Sequence, residues 1–376
     1  MEFTSLTTAI TISILLAAIL TSAALSETKL IPTINYPIGE YKSISGIRGL
    51  AALFVYVNHA PVMLVNMGIK ADNVSQWGWI YANLGSFGVQ IFFCITGFLF
   101  FDRIIKVDGK LDWNKFFQSR VKRIAPLFYF SSLLCVLISI FYSFTITFSK
   151  SDLLTLAGLA TFSFIDSSMT IGGMKLYPLN SVIWTLVHEW RFYMALPLIC
   201  FAFCNAKIGK FAFIAACIIA VIDFKNSVVV CWPYFLTGIL VAYIANLKLK
   251  INKPINAVVL LLAAALFIVT AGVKIENGYN WQRFAMSSIF FLCIVIGDPK
   301  ILHSKSLRYL GEISYSIYLM HLPILFLSIW VLSKVIDIAE ITQYEYWLFI
   351  TMIVPVIVML SSFSFKYIEL KFMGKK

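Results

Sequence analysis

The sequence predicts an all-α polytopic membrane protein, a ten-helix transmembrane bundle with an extra N-terminal helix. Three observations carry this. Hydrophobic residues fill 60% of 376 positions and charged residues only 13%, against roughly 25% charged residues in soluble domains. The apolar residues gather into runs long enough to cross a ~30 Å hydrocarbon core. The connectors between the runs alternate in charge. The net charge of +12 could suit nucleic acid, but the basic residues lie between apolar runs, as the positive-inside rule produces, and no nucleic-acid partner is expected. The seven cysteines all lie in apolar stretches without a ligand-like cluster. They read as packing residues, with no disulfide framework and no metal site.

Residues 7–25 form the first apolar run. Small residues follow it, as in a signal peptide, yet Met1–Thr8 has no Lys or Arg to form a basic leader region. Cleavage would also leave Lys29, Lys42 and Arg48 outside, against the charge bias. An uncleaved helix with its amino end outside is the favoured reading, so residues 1–42 are taken as this helix and a linker with Pro32 and Pro37. Ten further spans are expected near 47–67, 79–101, 124–147, 182–204, 210–223, 228–246, 255–273, 281–297, 311–333 and 347–368. The fifth is short. One set of connectors holds Arg103, Lys106, Lys110, Lys115, Arg120, Lys122 and Arg123, then Lys207 with Lys210, Lys248 with Lys250 and Lys253, and Lys300 with Lys305 and Arg308. The tail 371–376 adds Lys371, Lys375 and Lys376 to the same side. The other set mixes signs: Lys70 with Asp72, Lys150 with Asp152 and Asp166, Lys274 with Glu276, and Asp337, Glu340 and Glu345. This alternation places Arg48 and the carboxyl terminus in the cytoplasm of a multi-pass protein of the cell (inner) membrane. Segment 153–181 holds an apolar piece too short to cross, expected as an outer cap or a re-entrant turn.

An ionisable group inside a span costs several kcal/mol unless it faces the bundle interior, so each is a candidate for function. His59 ends the stretch GIRGLAALFVYVNH, which begins at Gly46 and contains Arg48. The separation of Arg48 and His59 is about 16 Å along a helix and close to three full turns, so both share one face. Neutral imidazole is the usual group for taking a proton from a hydroxyl. His188 and Glu189 lie in WTLVHEWRFYMALP, with Arg191 two residues on; Glu189 is either functional or half of a buried ion pair with a nearby Arg. His321 lies just before Pro323 and reads first as a structural group bonded to a neighbouring helix. Arg120 and Arg123 share a face if their segment is helical. Paired guanidinium groups suit phosphate, although the basic loop is also a plain topology signal.

With these residues placed, the sequence resembles acyltransferase family 3, the integral membrane O-acyltransferases, over residues 43–370. Five separated motifs carry the resemblance, in the family's order. GIRGLAALFVYVNH is similar to the first-helix signature, an Arg, ten residues and a His. GVQIFFCITGFLF follows at 88–100, FFQSRVKRIAPLF at 116–128, WTLVHEWRFYMALP at 184–197, and RYLGEISYSIYLMHLPI at 308–324. Thr96 and Thr185 stand where serines are commoner, and His188 is not a usual feature. The resemblance implies transfer of an acyl group, commonly acetyl, from cytoplasmic acyl-CoA to an acceptor outside, often a carbohydrate such as a lipid-linked glycan, O-antigen or exopolysaccharide. It implies His59 as the catalytic base, Glu189 as the acidic residue of the fourth motif, and Arg48, Arg120 and Arg123 as cofactor-side residues.

The resulting expectation is direct transfer, with the arginines on the CoA phosphates and His59 activating an acceptor hydroxyl. Asn58 or Thr96 would meet the oxyanion, and Glu189 would orient His59 or stabilise its charged form. A covalent acyl-His intermediate is the chemical variant. A secondary transporter or glycan exporter is the competing class, since it also carries buried charges; inverted repeats or matched broken helices would favour it. A non-catalytic membrane sensor is a third, marked by failure to bind any acyl-CoA.

Overall fold

Lipid offers no hydrogen-bond partner to the backbone, so an apolar run that crosses it must satisfy its own N–H and C=O groups as a helix. Among the described residues, each expected run is helical over most of its length. The computed structural model describes residues 2–28, 39–69, 78–143, 149–165, 170–227, 229–249, 251–274 and 278–374. Lys29, Pro32, Pro37, Lys70, Asp72, Asp166, Lys250, Glu276, Lys375 and Lys376 lie outside the described residues.

The helices are α1 (Glu2–Ser26), α2 (Lys42–Asn66), α3 (Gly78–Lys106), α4 (Trp113–Ser143), α5 (Lys150–Ala160), α6 (Tyr177–Asn180) and α7 (Trp184–Cys204). They continue as α8 (Ala206–Asn226), α9 (Trp232–Asn246), α10 (Lys253–Gly272), α11 (Trp281–Gly297), α12 (Lys305–Glu312), α13 (Ser314–Leu332) and α14 (Gln343–Ser364). A π-helical turn, Phe365–Glu369, extends α14. Among the described residues seven helices are long and apolar enough to cross a membrane: α1, α2, α3, α4, α10, α13, and α14 with its extension. The other four expected spans are helical too. However, α7 carries Glu189 and Arg191 and α8 carries Lys207, Lys210, Asp223 and Lys225, while α9 and α11 have only 15 and 17 residues.

Helix α2 is buried along most of its length, from Ser43 to Leu64, and packs against α3, α12 and α13. Small residues let these backbones approach. A Cβ at Gly49 would lie 2.8 Å from Leu307 O, and one at Gly311 would overlap Ser45 O. This small-residue packing is how helices associate where lipid gives no hydrophobic drive. The two helical tracks run parallel, because residue 48 meets Gly311 and residue 59 meets His321. Helix α1 lays a stripe of Thr7, Ile10, Ile14, Ala18, Ser22 and Leu25 inward, towards α14 and α12.

Segment 153–181 is a folded cap. Helix α5 has 11 residues, about 16 Å at 1.5 Å per residue, too short to cross. A hairpin follows, β1 (Thr170–Ile171) pairing antiparallel with β2 (Met174–Lys175). Ser139 Oγ on α4 donates to Ile171 O at 3.0 Å and docks it. Asp152 closes a capping box with Ser149 and accepts from Gly172 N at 3.1 Å. Donors from Ser149, then Gly172, hold the Asp152 carboxyl below the usual carboxylate range.

Candidate active site

Three arginines expected on one side come together. Arg48 Nε donates to Gly311 O at 2.6 Å, and Nη2 lies 3.4 Å from Glu312. Arg123 Nη2 donates to Glu312 O at 3.2 Å, while Nη1 pairs with Glu369 at 3.1 Å and reaches Met373 Sδ at 3.0 Å. Arg120 lies over the Phe100 ring, 5.0 Å from its centroid. Among the described residues Arg120 has no carboxylate within ion-pair distance, so it is the least committed of the three. With Arg103, Lys115 and Lys122 they surround one open cavity whose lining, among the described residues, holds a single carboxylate, Glu312. Positive charge this concentrated, on side chains partly exposed to water, is suited to an anion with several phosphates.

A second cavity continues from the same arginines into the bundle. Its wall is mostly apolar and aromatic, with Phe92, Leu99, Phe100 and Ile124, and it also holds Thr96, Glu189 and Tyr193. Glu189 accepts a hydrogen bond from Tyr193 Oη. Its neighbour Arg191 is exposed on another face of α7 and does not pair with it. His188 packs edge-on to Trp184 and Phe93, with centroids 5.6 and 6.3 Å away.

His59 lies on a third cavity, lined by Asn58, Ser86, Trp184, Gly278 and Tyr279 among others. Val89 and Tyr318 line both this cavity and the arginine-bound one. These two side chains border both the basic approach and the histidine cavity. Tyr318 is held by Thr185 Oγ1 at 2.8 Å and by Val182 O at 3.2 Å. Thr185 keeps the hydroxyl of the commoner serine, and that hydroxyl makes this bond.

The structure does not bring Glu189 to His59. The partner of His59 is His321, with Nδ1 3.0 Å from His321 Nε2. The pair joins α2 to α13 across 262 residues of sequence, which no local spacing reveals. Sequence reading also missed three charges. Glu312 and Glu369 sit at the ends of apolar runs, where charged residues ordinarily occur. Arg283 lies inside the run 281–297 and is fully buried. Its guanidinium donates to Asn83 Oδ1, Thr270 O and Val273 O, closing the carbonyl end of α10. A charge within an apolar run was the available signal for it. Gln90 Nε2 of α3 donates to Gly278 O at 2.5 Å and its Oε1 accepts from Ser287 Oγ of α11 at 2.5 Å, so α3 and α11 together fix the loop that carries Tyr279 to the histidine cavity.

A family model described as an acyltransferase domain, acyltransferase family 3, matches residues 41–365. A protein of Acidianus two-tailed virus, named "Putative acetyltransferase ORF330", is 26% identical over 298 residues, covering 74% of this chain and 82% of that protein. No solved structure matches. The matched region takes in α2 through α14, with His59, His321 and the basic residues of the mouth. The chain therefore belongs to acyltransferase family 3.

Proposed function

We propose that this acyltransferase moves an acyl group, acetyl in the first instance, from acyl-CoA at the basic mouth to a hydroxyl of a carbohydrate acceptor at the His59 cavity. The observation behind the proposal is the pair of cavities that meet at Val89 and Tyr318, one opening among arginines and the other holding the histidine. CoA carries a pyrophosphate, a further phosphate, and a long thin arm ending in the thioester. The six basic side chains at the mouth suit the phosphates, with Arg120 the least committed of the three arginines that also border the inner cavity. The apolar passage beyond suits the arm. The charge alternation of the connectors supports a cytoplasmic mouth and an inner-membrane location. On the far side, Trp184 and Tyr279 offer aromatic faces, and Asn58 and Ser86 offer hydrogen bonds. A few polar groups among aromatic walls are what a small sugar-sized ligand needs.

The chemistry then follows. His59 takes the proton of the acceptor hydroxyl as its oxygen attacks the thioester carbonyl. A C–O bond forms, the carbonyl becomes tetrahedral, and the C–S bond breaks as the carbonyl returns. The proton on His59 passes to the departing sulfur, giving CoA thiol and an ester. Thr96 on the donor cavity and Asn58 on the acceptor cavity are the hydroxyl and amide best placed to meet the oxyanion. Glu189 and Tyr193 border the donor passage, so Glu189 is assigned to the donor side.

The test compares surface glycans from cells with the intact gene, cells without it, and cells carrying His59→Ala at equal expression. Base-labile acyl esters found by mass spectrometry only with the intact gene support the reading. Equal ester content with His59→Ala defeats it.

A further inference from the structure

We infer that His321 is a positioning residue that fixes the tautomer of His59 and leaves His59 Nε2 as the unprotonated base. The inference rests on the reading of His59 as base. It starts from one backbone carbonyl. His321 Nδ1 lies 2.9 Å from Ile317 O, and a carbonyl oxygen can only accept, so Nδ1 carries the hydrogen. A neutral ring with its hydrogen on Nδ1 has its lone pair on Nε2. That Nε2 lies 3.0 Å from His59 Nδ1, so His59 Nδ1–H must be the donor. Neutral His59 then has its own lone pair on Nε2. Reversing the chain would set the Nδ1 lone pair of His321 against the lone pairs of Ile317 O.

The surroundings hold His321 in this role. Its side chain is fully buried, and the rings of Tyr56 and Tyr318 flank it with centroids 6.3 Å away on each side. Pro323, two residues on, has no N–H and so frees the carbonyl four residues before it, Leu319 O. Ser131 Oγ of α4 takes up that carbonyl at 3.1 Å, pinning α13 next to His321. Neither histidine has a carboxylate as hydrogen-bond partner among the described residues. The second imidazole therefore does here what a carboxylate does in a serine hydrolase, orienting the base, but without a charge. During transfer the acceptor proton goes to His59 Nε2 and leaves with the thiol. The hydrogen between the two rings keeps its place, so His321 neither gains nor loses a proton overall.

The chain contains four histidines, so selective 15N-histidine labelling of the purified full-length protein gives a spectrum that substitution can assign. Nitrogen shifts should show His59 and His321 both protonated on Nδ1, the less common tautomer of a free neutral histidine side chain in water. His321→Leu should lower kcat for acetyl-CoA-dependent transfer by about 100-fold, less than the ~10⁴-fold cost of a wrong tautomer in a charged triad, with KM for acetyl-CoA within about twofold. His321→Gln, which restores an acceptor near the Nε2 position, should recover at least about tenfold over His321→Leu. His59 found protonated on Nε2 in the unsubstituted protein overturns the inference, as does wild-type kcat in His321→Leu. Wild-type turnover in His59→Ala instead overturns the reading of His59 itself. The two failures are therefore separable.

Discussion

Replacing Arg123 with alanine should destabilise the protein far more than replacing Arg120, although both belong to one RxxR element. Glu369 is 0% exposed and Arg123 is 16% exposed, with their charged atoms 3.1 Å apart. Ser316 Oγ also donates to Glu369, so the carboxylate is built into the bundle. Removing the guanidinium strands a buried charge, for which about 3–5 kcal/mol is the usual cost. Removing both charges should recover most of it, since a buried pair and its neutral replacement are often of similar stability. Thermal or denaturant unfolding in detergent of Arg123→Ala, Glu369→Gln and the double variant completes the cycle, with an expected coupling of at least about 2 kcal/mol. Arg123→Ala as stable as the unaltered protein, or strictly additive effects, would refute the reasoning.

Other outcomes follow from the same geometry. Arg120→Ala should leave unfolding unchanged and raise KM for acyl-CoA by about 10- to 100-fold, the value of one or two charge-assisted hydrogen bonds to phosphate; steady-state kinetics at fixed ionic strength would read it. His59→Ala should lower kcat by about 10²–10⁴-fold, the range for a general base, with acyl-CoA binding retained by equilibrium dialysis. The depressed carboxyl of Asp152 contributes stability that is present above the unfolded carboxylate range and is lost as pH falls through the lower folded value. Hydrogen exchange over residues 149–175 should therefore quicken on acidification below about pH 4, and Asp152→Asn should remove most of that pH dependence. Gly311→Val should abolish folded protein in membranes, because even a Cβ overlaps Ser45 O and overpacking of a close crossing costs about 1–3 kcal/mol or more.

Hydropathy was enough to place a helix at each expected run, and seven of these helices, among the described residues, are long and apolar enough to cross a membrane. Length also marked the apolar piece in 153–181 as too short to cross, with a cap or a re-entrant turn left open; helix α5, of 11 residues, is that short piece. The arginines and His59 stand out in the sequence as candidates for a similar reason, because a charge in or beside an apolar run costs free energy. Partners were not legible. Glu369 answers Arg123 across 246 residues and His321 answers His59 across 262, by subtraction of their positions, and no helical periodicity spans such distances. Glu189 was linked to His59 because acid, base and orienter so often adjoin. The fold instead gives that place to a histidine one turn beyond Tyr318, and sets Glu189 along the passage to the arginines. Arg283 escaped notice because it lies two residues inside the start of α11, where cations commonly mark a boundary. Here it turns inward onto the carbonyl end of α10.

The most direct measurement separates donor from acceptor across the membrane. Purified protein is reconstituted in sealed vesicles, and the fraction with the basic mouth outward is determined by protease access to the C-terminal tail. Radiolabelled acetyl-CoA is added outside, with a soluble oligosaccharide acceptor sealed inside. Base-labile label on the enclosed acceptor, in proportion to the mouth-outward fraction and absent with His59→Ala, is the expected result. Label that appears only on acceptor supplied on the donor side, or that persists with His59→Ala, would contradict transfer through the two cavities.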